Sequence, residues 1–260
     1  MHSAPETVAG FPDMWHPVYE KYKAFFDLAA ELPPLINEMI HKPHQGRLLQ
    51  TVARLTCVAA NTNGAILTLV LNGYGHDAMK LARSIFEIEL HILWFKKYPA
   101  EVDDFWDFNI IQQKRHYDLM DEEQKSQAPA ERVAQMMQDY NAVLPRFADR
   151  KTPTRPRNRW CRESIYRQAK EVDRIELYRT FYAQASSLHH MDMGGLIDQM
   201  DTELSIELAP SWGLLGDALT HGMASFLRCL AEYDEIAQLG LKERLENGPL
   251  DAYVKAVRGL

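Results

Sequence analysis

Apolar residues recur along most of this chain at steps of three and four, the spacing of one face of an α-helix. Val18, Tyr19, Tyr22, Phe25, Phe26, Ala29 and Leu32 begin the pattern. Pro33-Pro34 is expected to break or kink it before Leu35, Ile36, Met39 and Ile40 resume. Lys42-Pro43-His44-Gln45-Gly46 has the composition of a turn, and a weakly charged helix follows from about Arg47 to Leu71. Asn72-Gly73-Tyr74-Gly75 then reverses the chain, which makes the next helix an antiparallel neighbour. That helix, residues 75 to 98, is the centre of the pattern. Met79, Leu81, Ala82, Ile85, Phe86, Ile88, Leu90, Ile92, Leu93 and Phe95 cover most of its circumference, as in a helix packed on several sides. One polar strip interrupts them: Lys80, Arg83, Ser84, Glu87 and His91 stack on a single face. The strip faces either water or a site.

Pro99 opens a fourth helix, with Glu101, Asp103 and Asp104 in its first turn to oppose the dipole. Asp121 to Ala130 is loop-like, Glu131 to Val143 forms a modest helix, and residues 145 to 159 have no helical period. Helices resume from Trp160 to about Asp173 and from Ile175 to Met191. After a break at Gly194-Gly195 and a short helix near Leu196 to Leu208, a long core helix spans Ser211 to Leu239. Strand-like alternation is absent. The pattern predicts one all-α domain over residues 1–260, an antiparallel bundle of about seven or eight helices. Its core covers about 15–240, with a loop-like excursion at 145–159 and a peripheral segment at 241–260.

Charge changes this picture locally. The net charge of −7 and pI near 5.8 exclude a protein that coats nucleic acid or an anionic membrane with its whole surface. Residues 146 to 167 nevertheless carry eight bases against Asp149 and Glu163. Arg155, Arg157 and Arg159 are therefore candidates for a phosphate-contacting arm, with Trp160 and Tyr166 for base stacking; the alternative is a solvated loop. Cys57, Cys161 and Cys229 lack disulfide or zinc spacing. The N-terminus lacks the pattern of a secretory signal. The apolar run from Leu48 to Leu71 is interrupted by Gln50, Arg54, Asn61, Thr62 and Asn63, so a buried helix is expected rather than a membrane span. These features predict a cytoplasmic location without membrane attachment.

Two constellations could carry chemistry. Tyr178, Tyr182, Ser186 and His190 follow at four-residue steps, with Ser187 and His189 adjacent. A hydroxyl one turn before an imidazole can fix the tautomer that a general base or a phosphate-binding histidine needs. The same residues could equally pack at a helix interface with their polar tips satisfied. Arg83 and Glu87 form either an exposed i,i+4 pair, worth about 0.3–0.5 kcal/mol, or an inward fork presented to a phosphate or carboxylate. A metal site drawing on Glu87, His91, His189 or His190, Asp192 and His221 would lack the paired Glu-x-x-His signature of di-iron bundles. Phosphate-loop, dinucleotide, nucleophile-elbow and zinc-protease motifs are also missing, so no cofactor and no metal is expected.

Taken together, Ala82-Arg83-Ser84-Ile85-Phe86-Glu87, Trp160 opening a helix, and Tyr178-x3-Tyr182-x3-Ser186-Ser187-Leu188-His189-His190 resemble an uncharacterised bacterial all-helical family. That family pairs an R-S-x-x-E helix with a later Tyr, Ser and His helix, and looks like a distant relative of the HEPN helical domains of toxin and phage-defence systems. The resemblance covers roughly residues 50 to 230. It implies catalytic roles for Arg83, Glu87, Tyr182, Ser186 and either His189 or His190, with Arg83 and Glu87 pointing inward. HEPN ribonucleases place Arg and His close together on one helix, and no Arg here is followed by His at that spacing. A cleavage site would have to join two helices, His190 taking the 2′-hydroxyl proton and Arg83 stabilising the phosphorane. The expected function is binding of RNA or a nucleotide, with or without its cleavage, by a HEPN-like protein that forms a homodimer. The alternatives are a module for protein partners, built around a closed Arg/Glu/Tyr/His network, and a metal-binding bundle.

Overall fold

A computed structural model describes residues 11–190 and 210–260. The chain is all-α, 80% helical, with ten helices and no strand among the described residues. Helices α1 to α7 are Pro12–Ile40, Gly46–Leu71, Gly75–Lys97, Glu101–Leu119, Glu122–Gln127, Ala130–Phe147 and Ile165–Glu171. Helix α8 joins Ile175–Leu177, a π-helical turn at Tyr178–Tyr182, and Ala183–His190. Helix α9 is Leu215–Ala237, and α10 joins Lys242–Leu245, a second π turn at Glu246–Leu250, and Asp251–Arg258. The helices beyond the expected seven or eight are short ones such as α5, too brief to show a period. The break at Gly194-Gly195 and the helix near 196–208 lie outside the described residues.

The sequence suggested one domain; the chain packs as two compact units. One comprises the chain up to Lys97 and again from Ile165, and the other spans Tyr98–Ser164. The second unit has its own small core, with Val102, Phe108 and Ile111 on α4, Val143 and Phe147 on α6, and Trp160 beyond. The expected loose excursion at 145–159 is instead tied down within it. Asp149 N donates to Arg155 O, Arg157 N to Phe147 O, and the Arg115 guanidinium to the carbonyls of Pro156 and Arg157. Hydrogen bonds of this kind carry no sequence period, so patterning alone missed them.

In the first unit α2, α3 and α9 pack mutually. Gly75 at the start of α3 abuts the backbone of Gly213 just before α9, and Lys96 near its end pairs with Glu232. Helices α3 and α9 therefore run in the same direction. Helix α2 runs against both, bringing Ile66 to Gly222 and Asn63 to Met223. Three mutually packed helices cannot all be antiparallel, which is why this pair is not. Gly222 permits the close approach, since a Cβ there would sit 2.8 Å from Ile66 Cδ1.

Helix α1 passes straight through Pro33-Pro34, and its non-helical residue is Tyr22, with φ −111° and ψ 20°. Val18, Phe25, Leu28, Leu32, Leu35 and Met39 form one buried stripe across the prolines. Its burial outweighs the lost amide bonds. By length and composition α2 is the one described helix that could cross a membrane. Val52, Ala59, Ile66 and Val70 face the bundle, while Arg54, Val58, Asn61, Gly64 and Thr68 are exposed.

Candidate functional site

Two residues of the α3 polar strip turn toward α8 rather than open water. Arg83 and Glu87, one turn apart, both meet Tyr182 of α8, and the three make a closed triangle. The Arg83 guanidinium donates through one Nη to the Tyr182 hydroxyl at 2.9 Å and pairs with Glu87 Oε1 at 2.8 Å. The Tyr182 hydroxyl donates in turn to Glu87 Oε1 at 2.5 Å. The Arg83 fork also lies over the Tyr182 ring, 4.8 Å from its centroid, in cation–π geometry. Arg83 is 9% exposed and Tyr182 5%. Burial and the neighbouring Glu87 carboxylate both push the Tyr182 phenol upward, so it remains a donor. Arg83 Nε is buried with no hydrogen-bond partner among the described residues.

The π turn at Tyr178–Tyr182 shapes the other wall. It stacks the Tyr178 ring on Tyr182, with centroids 5.0 Å apart, and Tyr166 meets Tyr178 edge-on. Such turns insert a residue into the helical register and are frequent at functional sites. The regular helix that follows decides between the two histidines. His189 is seven residues beyond Tyr182, close to two full turns of 3.6 residues, whereas His190 is rotated a further 100° or so. His189 accordingly stands in the field of Arg83, Lys80 and Glu87. Its imidazolium is disfavoured by burial first, then by Arg83, His190 and Lys80, with Glu87 opposing, so the ring is held toward its neutral form. Of the two histidines that the sequence left open, His189 thus lies closer in register to the face of Tyr182 than His190 does. Four-residue steps drift by about 40° per turn, which over two turns amounts to nearly a whole residue.

Ser186 lies half-buried on the same helix, and Ser84 caps its own chain, donating to Lys80 O at 3.2 Å. His91 lies beside Phe95, further along α3. His221 stacks on Phe181 at 4.3 Å, and burial lowers its pKa against an opposing influence from Asp217. No group of three or more His, Cys, Asp or Glu among the described residues is placed to hold a metal. Asp192 lies outside the described residues.

Beneath the site, on the buried face of α3, sequence reasoning missed a second charged pair. Glu89 is 1% exposed, and Arg174, the residue before α8, brings Nε to 2.6 Å from Glu89 Oε1. The N–H is not aligned on the oxygen, so the contact is an ion pair rather than a directed hydrogen bond. Burial raises the Glu89 carboxyl, with Arg174, Ser225 and Arg228 opposing. The signal in the sequence was a lone acid inside the apolar run Ile88-Glu89-Leu90.

In the second unit the basic residues separate. Arg155 and Arg159 are exposed, while Arg157 turns inward. The Arg157 guanidinium donates to the carbonyls of Arg146, Arg159 and Trp160 and covers the Phe147 ring. It therefore organises the loop instead of facing solvent with its neighbours. Trp160, expected to stack on bases, is 8% exposed and packs edge-on against Phe105. Tyr166 is exposed. A cleft of about 360 Å³ is lined by Glu101, Asp104, Arg146, Arg157, Cys161, Arg162 and Glu163. Arg146 there is bound to Asp104 and Asp107, and burial pushes the Cys161 thiol up to about 11, which makes it a poor nucleophile at neutral pH.

Residues 50–207 match a family described as a family of unknown function (DUF5677), which includes both site helices. No curated protein and no solved structure matches the chain.

Proposed function

The chain belongs to the DUF5677 family, a family of unknown function, and on that premise we propose that the polar face shared by α3 and α8 binds RNA phosphate and supports its cleavage. The observation that carries this is the meeting of α3 and α8 at Arg83 and Tyr182, with the exposed His189 two turns beyond Tyr182 and its imidazolium disfavoured by burial and then by Arg83. A neutral imidazole can accept the 2′-hydroxyl proton as the 2′-oxygen attacks phosphorus, and the 5′-oxygen leaves as a hydroxyl on taking a proton from water, to which the imidazolium then returns its own. Lys80, partly exposed and paired with Asp77 at 2.9 Å, supplies a mobile cation for the phosphate. Arg83, held by Tyr182 and Glu87, adds positive potential from a fixed position. The resemblance of these two helices to the HEPN domains of toxin and defence systems supports an RNA substrate over a small carboxylate.

The test is cleavage and binding of single-stranded RNA by wild type beside His189→Ala, His190→Ala and Arg83→Ala, each confirmed folded by circular dichroism. Cleavage lost with His189 and retained with His190 is the expected result. An inactive, non-binding wild type, or an active His189→Ala, overturns it. The closure of the Arg83–Tyr182–Glu87 triangle favours a second reading, a structural network in a module for protein partners. On that reading Arg83→Ala loses stability and nothing else.

A further inference from the structure

We infer that Glu89 and Arg174 are positioning residues for the proposed site, holding the start of α8 on α3 in the register that presents His189. The inference rests on the site proposed above but is read out without RNA. Three observations carry it.

The first is placement. Arg174 immediately precedes Ile175, the first residue of α8, and its carbonyl accepts the Tyr178 amide at 3.0 Å, so its side chain anchors the opening turn. Glu89 stands only two residues beyond Glu87 on α3, on the opposite, buried side of the helix. One helix thus grips α8 twice, at Arg174 through Glu89 and at Tyr182 through Arg83 and Glu87.

The second is the shape of the chain between and before these grips. Asp173 adopts φ +57°, a left-handed conformation costly for a residue with a Cβ, and the turn it makes delivers Arg174 inward. The π turn lies between the two grips and ends at Tyr182. Its extra residue rotates all that follows by about one residue, roughly 100°. Tyr182 and His189 follow it together in regular helix, so the face that α8 turns toward α3 relative to Arg174 depends on this register.

The third is energetic. Burying two charges costs several kcal/mol of desolvation, and apolar or neutral replacements are often as stable. Glu89 is faced by Arg174 from the α7–α8 link and by Ser225, Arg228 and Cys229 from α9, and these only partly oppose the rise that burial imposes on its carboxyl; by distance and angle neither oxygen has an aligned hydrogen bond among the described residues. A buried pair of this kind is a weak source of stability, and its role on this inference is to specify which turn of α8 meets α3.

The experiment follows the histidine side chains by NMR titration in the full chain, with His189 assigned by its loss in His189→Ala. In wild type the His189 midpoint is expected below the ordinary imidazole value, through burial first and then Arg83. In Glu89→Gln it is expected to rise toward that value, because the ring loses its partial burial and leaves the field of Arg83. Should the uncompensated Arg174 charge unfold that variant, Glu89→Gln/Arg174→Gln removes both charges. The double variant is expected to recover the wild-type urea midpoint while the His189 titration stays displaced. If wild type cleaves RNA, the same variant is expected to lose up to about 100-fold in rate. A folded Glu89→Gln or double variant whose His189 titrates as in wild type overturns the inference. A displaced His189 in a chain that never cleaves RNA sustains it and sinks only the RNA reading.

Discussion

Tyr182→Phe removes one oxygen atom and leaves the packing of the ring, so it isolates what the hydroxyl contributes. That oxygen accepts from Arg83 at 2.9 Å and donates to Glu87 at 2.5 Å. Hydrogen bonds to charged partners are worth about 1.5–3 kcal/mol each. The full sum is not expected here. Arg83 keeps its direct 2.8 Å contact with Glu87, and the Glu87 side chain is 30% exposed, so water replaces part of what it loses. The buried guanidinium recovers less. The ring's contacts with Phe86, Tyr178 and the Arg83 fork survive the change. A net loss of about 2 kcal/mol follows. In urea it appears as a lower midpoint with an unchanged slope, and in thermal unfolding as a drop of about 4–8 °C for a unit of this size. Combining Tyr182→Phe with Glu87→Gln tests whether the triangle acts as one device, since its members are then expected to couple by more than about 0.5 kcal/mol. A loss below about 0.5 kcal/mol for Tyr182→Phe, or strict additivity in the cycle, refutes the reasoning and makes the triangle three independent contacts.

Two glycines are expected to respond in opposite senses to alanine. A Cβ on Gly75 would come 1.9 Å from Gly213 O, so Gly75→Ala should cost about 3 kcal/mol or more; Gly64, mid-helix with nothing within 4 Å of its Cβ direction, should gain about 0.5–1 kcal/mol, both measured by urea unfolding. His221 makes stability depend on pH. Burial holds its folded pKa low, so its contribution is complete above the ordinary imidazole value and is lost as pH falls through that value toward the depressed one. His221→Phe, which keeps an aromatic ring against Phe181, should flatten the fall in melting temperature on acidification from about pH 7 to 5; an unchanged slope would assign the acid sensitivity elsewhere. In the second unit, Arg157→Ala should destabilise by about 1.5–3 kcal/mol through its orphaned carbonyls, whereas reversing the exposed Arg155 and Arg159 should stay within about 0.5 kcal/mol. Equal losses for all three would mean that the loop does not depend on Arg157.

Local patterning determined the helices and much of their packing. The three- and four-residue steps of α1, α2, α3 and α9 are written in the order of apolar side chains, and the short link at Asn72–Tyr74 leaves α3 no choice but to reverse. The polar strip on α3 was legible for the same reason: a helix buried on most sides shows its exceptions. Arg83, Glu87 and Tyr182 could be named from spacing because a helix converts sequence distance into a shared face.

Tertiary structure decided what spacing could not. Whether Arg83 is a surface charge or a buried fork depends on α8, which is nearly a hundred residues away in the chain. Which of His189 and His190 lies nearer the face of Tyr182 depends on two turns of accumulated angle after a π turn that no residue pattern announced. Pro33-Pro34 failed to break α1 because burial on either side of them outweighed a local preference. Arg157 left its basic neighbours because carbonyls brought by the fold offered its fork a better match than solvent did. Glu89 and Arg174 belong to the same class: each is an ordinary charged residue in sequence, and only the burial of one against the other makes them a pair. Local order along the chain dictates which face of a helix is apolar. Which polar groups must share the resulting interior, and so shift, pair and position one another, is settled by contacts between helices that sequence distance does not encode.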